Sequence, residues 1–377
     1  MRTIILIFLS GILTATVLAQ FTVETNCGTT VDNNIDNNYL RIADRIASGS
    51  IKTGYGWSSD QTETGLSYTG GLSYYSQIID RSFYTHQVNV DYERTSGEED
   101  ASTFSANAGF SARLDRGDYS LYDHQIYNGS LQAEHSFAES FLTEGKYSFQ
   151  YVSFNELSAF NYLEHALGSQ VSMHFDTKTT LIIRGDLGMK IYSTANYDST
   201  TANSGMSRGR KQSTQSSPTV TQLSGLVRIG QSIFENTGLS LTANYQWNLQ
   251  RESRYLVSEY GTISDDALFD DHYGYEGLQL RTMLTQVISS DTRIRLVGNW
   301  QNKLYSNLAA YDLAGNLLSG QRSDTRTTLS MQLTKEFESL GITLNAAYDY
   351  IVNASNDSFY DYTNNALSVG LSVPFHP

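Results

Sequence analysis

Arg113, Glu144, Lys146, Arg184, Asp186, Lys190, Arg228, Arg293 and Arg295 are the ionisable residues whose placement invites a chemical reading. Each sits in a stretch where apolar and polar residues alternate, and each takes a polar position. Successive side chains of a strand point to opposite faces, so these residues would share the polar face of a sheet. Both charge signs occur, which argues against a filter of one sign. The ordinary role for such a set is to line a wet interior or to pair across strands. A sharper role is a constriction of Arg184, Asp186, Arg293 and Arg295 that orients a charged solute.

Other chemistry is harder to build. An enzyme needs a nucleophile, a base and an orienting group within reach. The histidines are His86, His124, His135, His165, His174, His272 and His376, and they lack the paired spacing of a metal site. His86, His135 and His165 fall on apolar faces, near strand ends in places, where a role at a membrane interface fits. No serine motif selects a nucleophile, so the expectation is a protein that is not an enzyme and that holds no metal or cofactor. The acidic residues Asp265, Asp266, Asp270 and Asp271 in the stretch Glu252–His272 could offer oxygens to calcium, but their spacing is not that of an EF-hand. They read as a solvated loop, as do Arg208, Arg210 and Lys211 within Ser193–Pro218. Cys27 is the single cysteine, which excludes an internal disulfide.

The elements that carry these residues are long alternating segments. Tyr84, His86, Val88, Val90 and Tyr92 alternate with Thr85, Gln87, Asn89, Asp91 and Glu93, and Phe104–Leu114 repeats the pattern with Phe104, Ala106, Ala108, Phe110, Ala112 and Leu114. Such runs recur to the end of the chain. They exceed the five or six residues of an ordinary strand and match the nine to eleven or so of a transmembrane one. Aromatic residues gather near the segment ends, as at Tyr55, Trp57, Phe104, Phe137, Phe175, Phe337 and Phe375, where interfacial girdles belong. Connections alternate between short turns such as Asp176–Lys178, Phe234–Thr237, Ser289–Asp291 and Glu338–Leu340, and long polar loops such as Ser193–Pro218, Glu252–His272, Ser306–Arg326 and Asn353–Asn365. That asymmetry is characteristic of outer-membrane barrels, with the short turns periplasmic. A soluble solenoid would show a fixed repeat, and none is seen. A soluble sandwich would have shorter strands and more even turns.

Composition agrees. The chain has 377 residues, a formal net charge of −14, 26 tyrosines and 3 prolines. Its mean hydropathy of −0.35 suits a barrel whose lumen face is polar. The acidic balance argues against nucleic acid as a partner. Met1–Ala19 reads as a secretory signal peptide: Arg2, an apolar core from Ile4, and Val17 and Ala19 before a cut at Gln20. No later apolar run is long enough for a spanning helix, so crossing a bilayer would require a closed barrel. Residues 20–49 are expected to form an N-terminal periplasmic arm, with the spacing of Tyr39, Leu40, Ile42, Ala43, Ile46 and Ala47 suggesting a short helix; an extra strand is the alternative. Residues 50–377 are expected to form the barrel.

The last segment sharpens this reading. Leu367, Val369, Leu371, Val373 and Phe375 alternate with Ser368, Gly370 and Ser372. The series Ser368, Gly370, Val373 and Phe375 resembles the C-terminal β-signal of bacterial outer-membrane β-barrel proteins, with Pro374 and the trailing His376 and Pro377 as departures. The resemblance implies an all-β, transmembrane, antiparallel up-and-down barrel, inserted by a barrel-assembly machinery that reads those four residues. About fifteen candidate strands can be counted. An even number is the rule for single-chain bacterial barrels, so about 14 strands is the first expectation and 16 the alternative. The function expected is a porin-like channel or export pore for small solutes or polymer, in the outer membrane of a Gram-negative-type bacterium, with lipid as its surroundings. A non-conducting structural or surface-interaction barrel plugged by the N-terminal arm is the second reading, and an outer-membrane enzyme the third.

Overall fold

The computed structural model describes residues 18–97, 102–193, 219–250, 255–258, 261–264 and 272–375. Residues 1–17 of the expected signal peptide Met1–Ala19, most of Ser193–Pro218 with Arg208, Arg210 and Lys211, and the aspartates Asp265, Asp266, Asp270 and Asp271 lie outside the described residues.

Alternation of large apolar with small polar residues produces a continuous antiparallel sheet that closes on itself. The strands are β1 (Leu18–Asp32), β2 (Asp44–Ser58), β3 (Thr62–Tyr75), β4 (Phe83–Ser96), β5 (Ser102–Asp115), β6 (His124–Ala138), β7 (Phe141–Phe154), β8 (Tyr162–Phe175), β9 (Thr179–Tyr192), β10 (Thr219–Phe234), β11 (Thr237–Asn248), β12 (Tyr255–Ser258), β13 (Gly261–Ser264), β14 (Gly277–Ser289), β15 (Thr292–Tyr311), β16 (Leu317–Phe337), β17 (Ile342–Ser355) and β18 (Tyr362–Phe375). β12 and β13 form a separate small hairpin, and the other 16 make the barrel, closed by β1 against β18. A 14-residue strand such as β3 is about 46 Å long and, tilted by about 40°, rises about 35 Å, enough for an apolar band.

The expectation of about 14 strands is therefore corrected to 16, and the correction lies at the N-terminus. The residues read as an arm with a short helix are wall: Gln20–Asp32 belongs to β1, and 44–49 begin β2. The helical spacing of Tyr39–Ala47 misled because a turn cuts it. Asn37 and Arg41 take positive φ, while Ile46 and Ala47 pair in the sheet opposite Thr30 and Thr29. β1 carries a weak strand signal because its outward positions Thr25, Cys27 and Thr29 are not large apolar residues. Since this segment closes the wall, it is not a plug. A second correction concerns Ser306–Arg326, expected as a loop: most of it extends the β15–β16 hairpin, whose pairing continues with irregularities to Tyr311↔Leu317. β17 likewise runs to Ser355 and β18 starts at Tyr362, leaving a shorter turn than expected.

The two faces differ as lipid and water demand. Phe21, Ile51, Leu66, Val88, Leu131, Leu167, Leu187, Val227, Leu241, Leu296, Leu329 and Leu367 are exposed on the outside. They are not stacked in a dry interior. The outward positions of the described barrel strands carry no Asp or Glu. Connections at 59–61, 139–140, 176–178, 235–236 and 290–291 are short and share a rim with both ends of the described chain, and the longer connections share the other. At the closing seam Gly28 faces Gly370, with a Cβ built on Gly28 meeting Val369 O at 3.0 Å.

Candidate functional site: the lumen and its mouth

Cross-strand register assigns every inward side chain. All of Arg113, Glu144, Lys146, Arg184, Asp186, Lys190, Arg228, Arg293 and Arg295 occupy positions opposite the lipid-facing set. Their surroundings fall into two kinds. Arg113 makes a bidentate pair with Asp115, Nε to Oδ2 at 2.9 Å and Nη2 to Oδ1 at 2.7 Å, and stacks on Phe83 at 3.8 Å. Arg184 does the same with Asp186, at 2.8–2.9 Å. Arg322 repeats the arrangement with Asp324, at 3.1 and 2.6 Å. The common cause is sequence spacing: residues two apart share a strand face, so Arg-x-Asp sets a guanidinium beside a carboxylate.

Arg228, Arg281, Arg293 and Arg295 contrast with these. None has a hydrogen bond or ion pair among the described residues. Their cross-strand neighbours are neutral: Ile182 and Thr242 for Arg228, Thr242 and Asn299 for Arg281, Val287 and Thr334 for Arg293, Thr285 and Gln332 for Arg295. Arg228 and Arg281 flank Thr242, two strand spacings or about 10 Å apart, and Arg295 lies about 13 Å farther toward the short-turn rim. The constriction expected from Arg184, Asp186, Arg293 and Arg295 does not assemble. Arg184 and Asp186 bond to each other, and β9 is separated from β15 by β10, β11 and β14.

The opposite arc of wall carries carboxylates held by neutral donors. Asn107 donates to Asp91 at 2.6 Å, Gln132 to Glu134 at 2.5 Å and Gln170 to Glu144 at 3.4 Å. Lys146 lines a recess of about 320 Å³ with Gln87, Asn107, Asn128, Gln150 and Glu164.

The narrowing occurs at the mouth on the long-loop side. The segment His272–Glu276, between the small hairpin and β14, turns into the lumen. Gln222 Nε2 donates to the carbonyls of His272 and Tyr275 at 3.0 and 3.3 Å, Gln246 Nε2 to the same two at 3.0 and 2.9 Å, and Asn248 Nδ2 to that of Tyr273 at 3.2 Å. The Tyr273 hydroxyl donates to Glu164 at 2.9 Å, and its ring is buried with Phe154, Phe160, Tyr192 and Val220. Gly188 is required below it, because a Cβ there would lie 2.1 Å from the phenol oxygen. Lys190, only 1% exposed, stands over Tyr162 and Tyr192 at 4.0 and 4.8 Å, opposite Glu164.

A second aromatic hub forms where the β15–β16 extension bends inward. Arg322 lies 3.3 Å from the Tyr360 ring centroid and 4.4 Å from that of Tyr305, and Lys303 stands over Tyr275 at 4.2 Å. Cations on tyrosine faces are stabilised by the ring quadrupole. In the adjoining turn, burial raises the Asp357 carboxyl above the ordinary aspartate range, against the opposing pull of hydrogen bonds from Phe359 and Tyr311 N–H and of Arg322.

Sequence reasoning missed Gln222, Gln246, Asn248, Tyr273, Arg281 and Arg322. The Arg-x-Asp spacing could have found Arg322. Nothing local to Tyr273 marks a loop that bends inward.

Ser368, Gly370, Val373 and Phe375 all lie on the closing strand. The Ser368 hydroxyl meets that of Thr30 at 2.9 Å on the lumen side, while Val373 and Phe375 face lipid opposite Thr25 and Val23.

A closed cylinder with an apolar exterior, a charged wet interior and unequal rims has the architecture of a porin-like outer-membrane barrel, and solved structures agree. The chain is similar to OccAB1 of Acinetobacter baumannii, with TM-score 0.53 and 8% identity over 95% of this chain and 96% of the other. It is also similar to the outer membrane protein opdK of Pseudomonas aeruginosa, with TM-score 0.52 and 9% identity over 94% and 99%, and to OpdL of Pseudomonas aeruginosa, with TM-score 0.50 and 9% identity over 95% and 98%. At these identities the likeness is one of fold. No protein-family model matches the chain, and no curated protein does.

Proposed function

We propose that the chain is a porin-like channel of the outer membrane, passing small polar solutes through a lumen narrowed at its outer mouth by the His272–Glu276 segment. The observation that carries this reading is the wall itself. Sixteen strands enclose a space too wide for side chains to fill, and its inner face holds solvated charges. The unpartnered arginines Arg228, Arg281, Arg293 and Arg295 favour solutes that bear a carboxylate or phosphate, since a guanidinium binds such groups bidentately. Catalysis is not proposed. Delivery would follow signal-peptide removal before Gln20, with insertion by an assembly machinery that reads Ser368, Gly370, Val373 and Phe375.

Reconstitution into planar bilayers tests the reading. Stable conductance steps are expected, with succinate or inorganic phosphate reducing the chloride current. Arg228→Gln with Arg281→Gln should weaken that block about tenfold, the scale of one lost charge-assisted contact in a wet site. Silence in the bilayer would overturn the channel. Conduction with no block, or block unmoved by the variant, would overturn only the solute class.

A further inference from the structure

Among the described residues the lipid-facing surface is largely apolar, and a polar stretch crosses β4–β7. At the short-turn rim, Phe175, Ile288, Phe337 and Phe375 are exposed as girdle residues should be. On β4–β7 the corresponding row reads Ser96, Ser102, His135 and Thr143, each directly opposite the next across the ladders. One step deeper the row reads Arg94, Phe104, Ala133 and Gly145. Of these, all but Gly145 line a groove of about 680 Å³, together with Tyr92, Thr103 and Glu134. Ala133 keeps its floor low, and directly across the ladder from Ala133 a Cβ built on Gly145 meets nothing within 4 Å, so the apolar surface continues open beside the groove.

The groove's donors are only partly used. Ser102 Oγ lies 2.8 Å from His135 Nδ1 and Thr143 Oγ1 donates to the His135 carbonyl at 3.3 Å. The His135 Nε2 and the Arg94 guanidinium have no partner among the described residues. A bare guanidinium against hydrocarbon is costly, whereas at headgroup depth it meets phosphate.

We propose that this groove seats one membrane phospholipid from the leaflet on the short-turn side. Its phosphodiester is held by Arg94, with His135 Nε2–H as a further donor while the Ser102 hydroxyl donates to Nδ1 and fixes that tautomer, and an acyl chain lies over Ala133 and Gly145. Charge complementarity selects this occupant. A second copy of the chain has no Asp or Glu on the outward positions of its described strands to set against Arg94. A lipid phosphate supplies the missing charge and an apolar tail in one molecule.

Native mass spectrometry of the purified barrel, after exchange into lipid-free detergent, tests this independently of any channel activity. The wild type should retain one phospholipid per barrel. Arg94→Gln should lower the retained fraction about tenfold by loss of a charge-assisted contact. Gly145→Leu, which fills the open surface beside the groove and leaves Arg94 in place, should do the same, and Lys178→Gln, at the same rim outside the groove, should leave retention unchanged. Compact migration of unboiled protein in gels establishes that each variant is folded. Vesicles of phosphatidylethanolamine and of phosphatidylglycerol should both restore the adduct, while inorganic phosphate should not displace it. A wild type without lipid, retention by Arg94→Gln and Gly145→Leu equal to that of the wild type, or displacement by inorganic phosphate alone would overturn the proposal.

Discussion

Replacing Tyr273 should open the mouth of the barrel. Its ring is 3% exposed, and its hydroxyl donates to Glu164 at 2.9 Å. Truncating a buried aromatic residue to alanine costs about 3–5 kcal/mol. With a factor of ten for every 1.4 kcal/mol or so, Tyr273→Ala lowers the docked-to-undocked ratio of His272–Glu276 by about two to three and a half orders of magnitude. Tyr273→Phe removes only the bond to a carboxylate, about 1.5–3 kcal/mol, and should lower the ratio about ten- to a hundredfold. Gly188→Ala reaches the same end by crowding, since its methyl would fall 2.1 Å from the phenol oxygen. The amide hydrogens of 272–276 should then exchange faster, in the order alanine, phenylalanine, wild type, and single-channel conductance should rise in the same order. Gln222, Gln246 and Asn248, which bind the carbonyls of the docked segment, are unchanged in all variants, so the difference reports the Tyr273 side chain. Equal conductance and equal exchange in Tyr273→Ala and wild type would refute the reasoning that this ring holds the mouth closed.

Three further outcomes follow from the same contacts. Arg322→Ala leaves Asp324 buried without its partner and should cost about 3–5 kcal/mol, seen as a lower temperature for loss of the compact gel band; Arg322→Met with Asp324→Leu should recover most of the loss. Gly28→Val sets side-chain carbon 3.0 Å from Val369 O at the closing seam and should lower the same transition, whereas Gly145→Val, with open space around its Cβ, should not. In the β14–β15 turn, hydrogen bonds from Lys335, Ser289 and Thr292 hold the Asp291 carboxyl well below the usual range. A depressed carboxylate stabilises the fold above its unfolded pKa and loses that contribution as pH falls. The gap in thermal midpoint between wild type and Asp291→Asn should be full at about pH 6 and shrink below about pH 4, and a gap that widens on acidification would contradict the assignment.

The barrel was legible in the sequence because its outer face must be apolar along every strand, which imprints a period of two over unusually long segments. Where outward positions hold Thr25, Cys27 and Thr29, that imprint fades, and from sequence alone β1 reads as an arm. The inward placement of Arg184 or Arg295 followed from parity alone. What each touches did not, because partners such as Asp186 and neighbours such as Gln332 depend on register across the sheet. The mouth was least legible: Tyr273 docks onto β8 and β9 from more than eighty residues away, through contacts that no local pattern encodes.

Accessibility along β1 gives the most direct test that this segment is wall, with lipid on one side and water on the other. A nitroxide on the native Cys27 should be relaxed by oxygen and shielded from a polar relaxant. The same label at Asn26→Cys, in a Cys27→Ser background, should show the reverse, and Thr25→Cys should return to the first behaviour. Uniform access to the polar reagent at all three positions would mean that β1 lies free in water, and the closed 16-strand cylinder would be wrong.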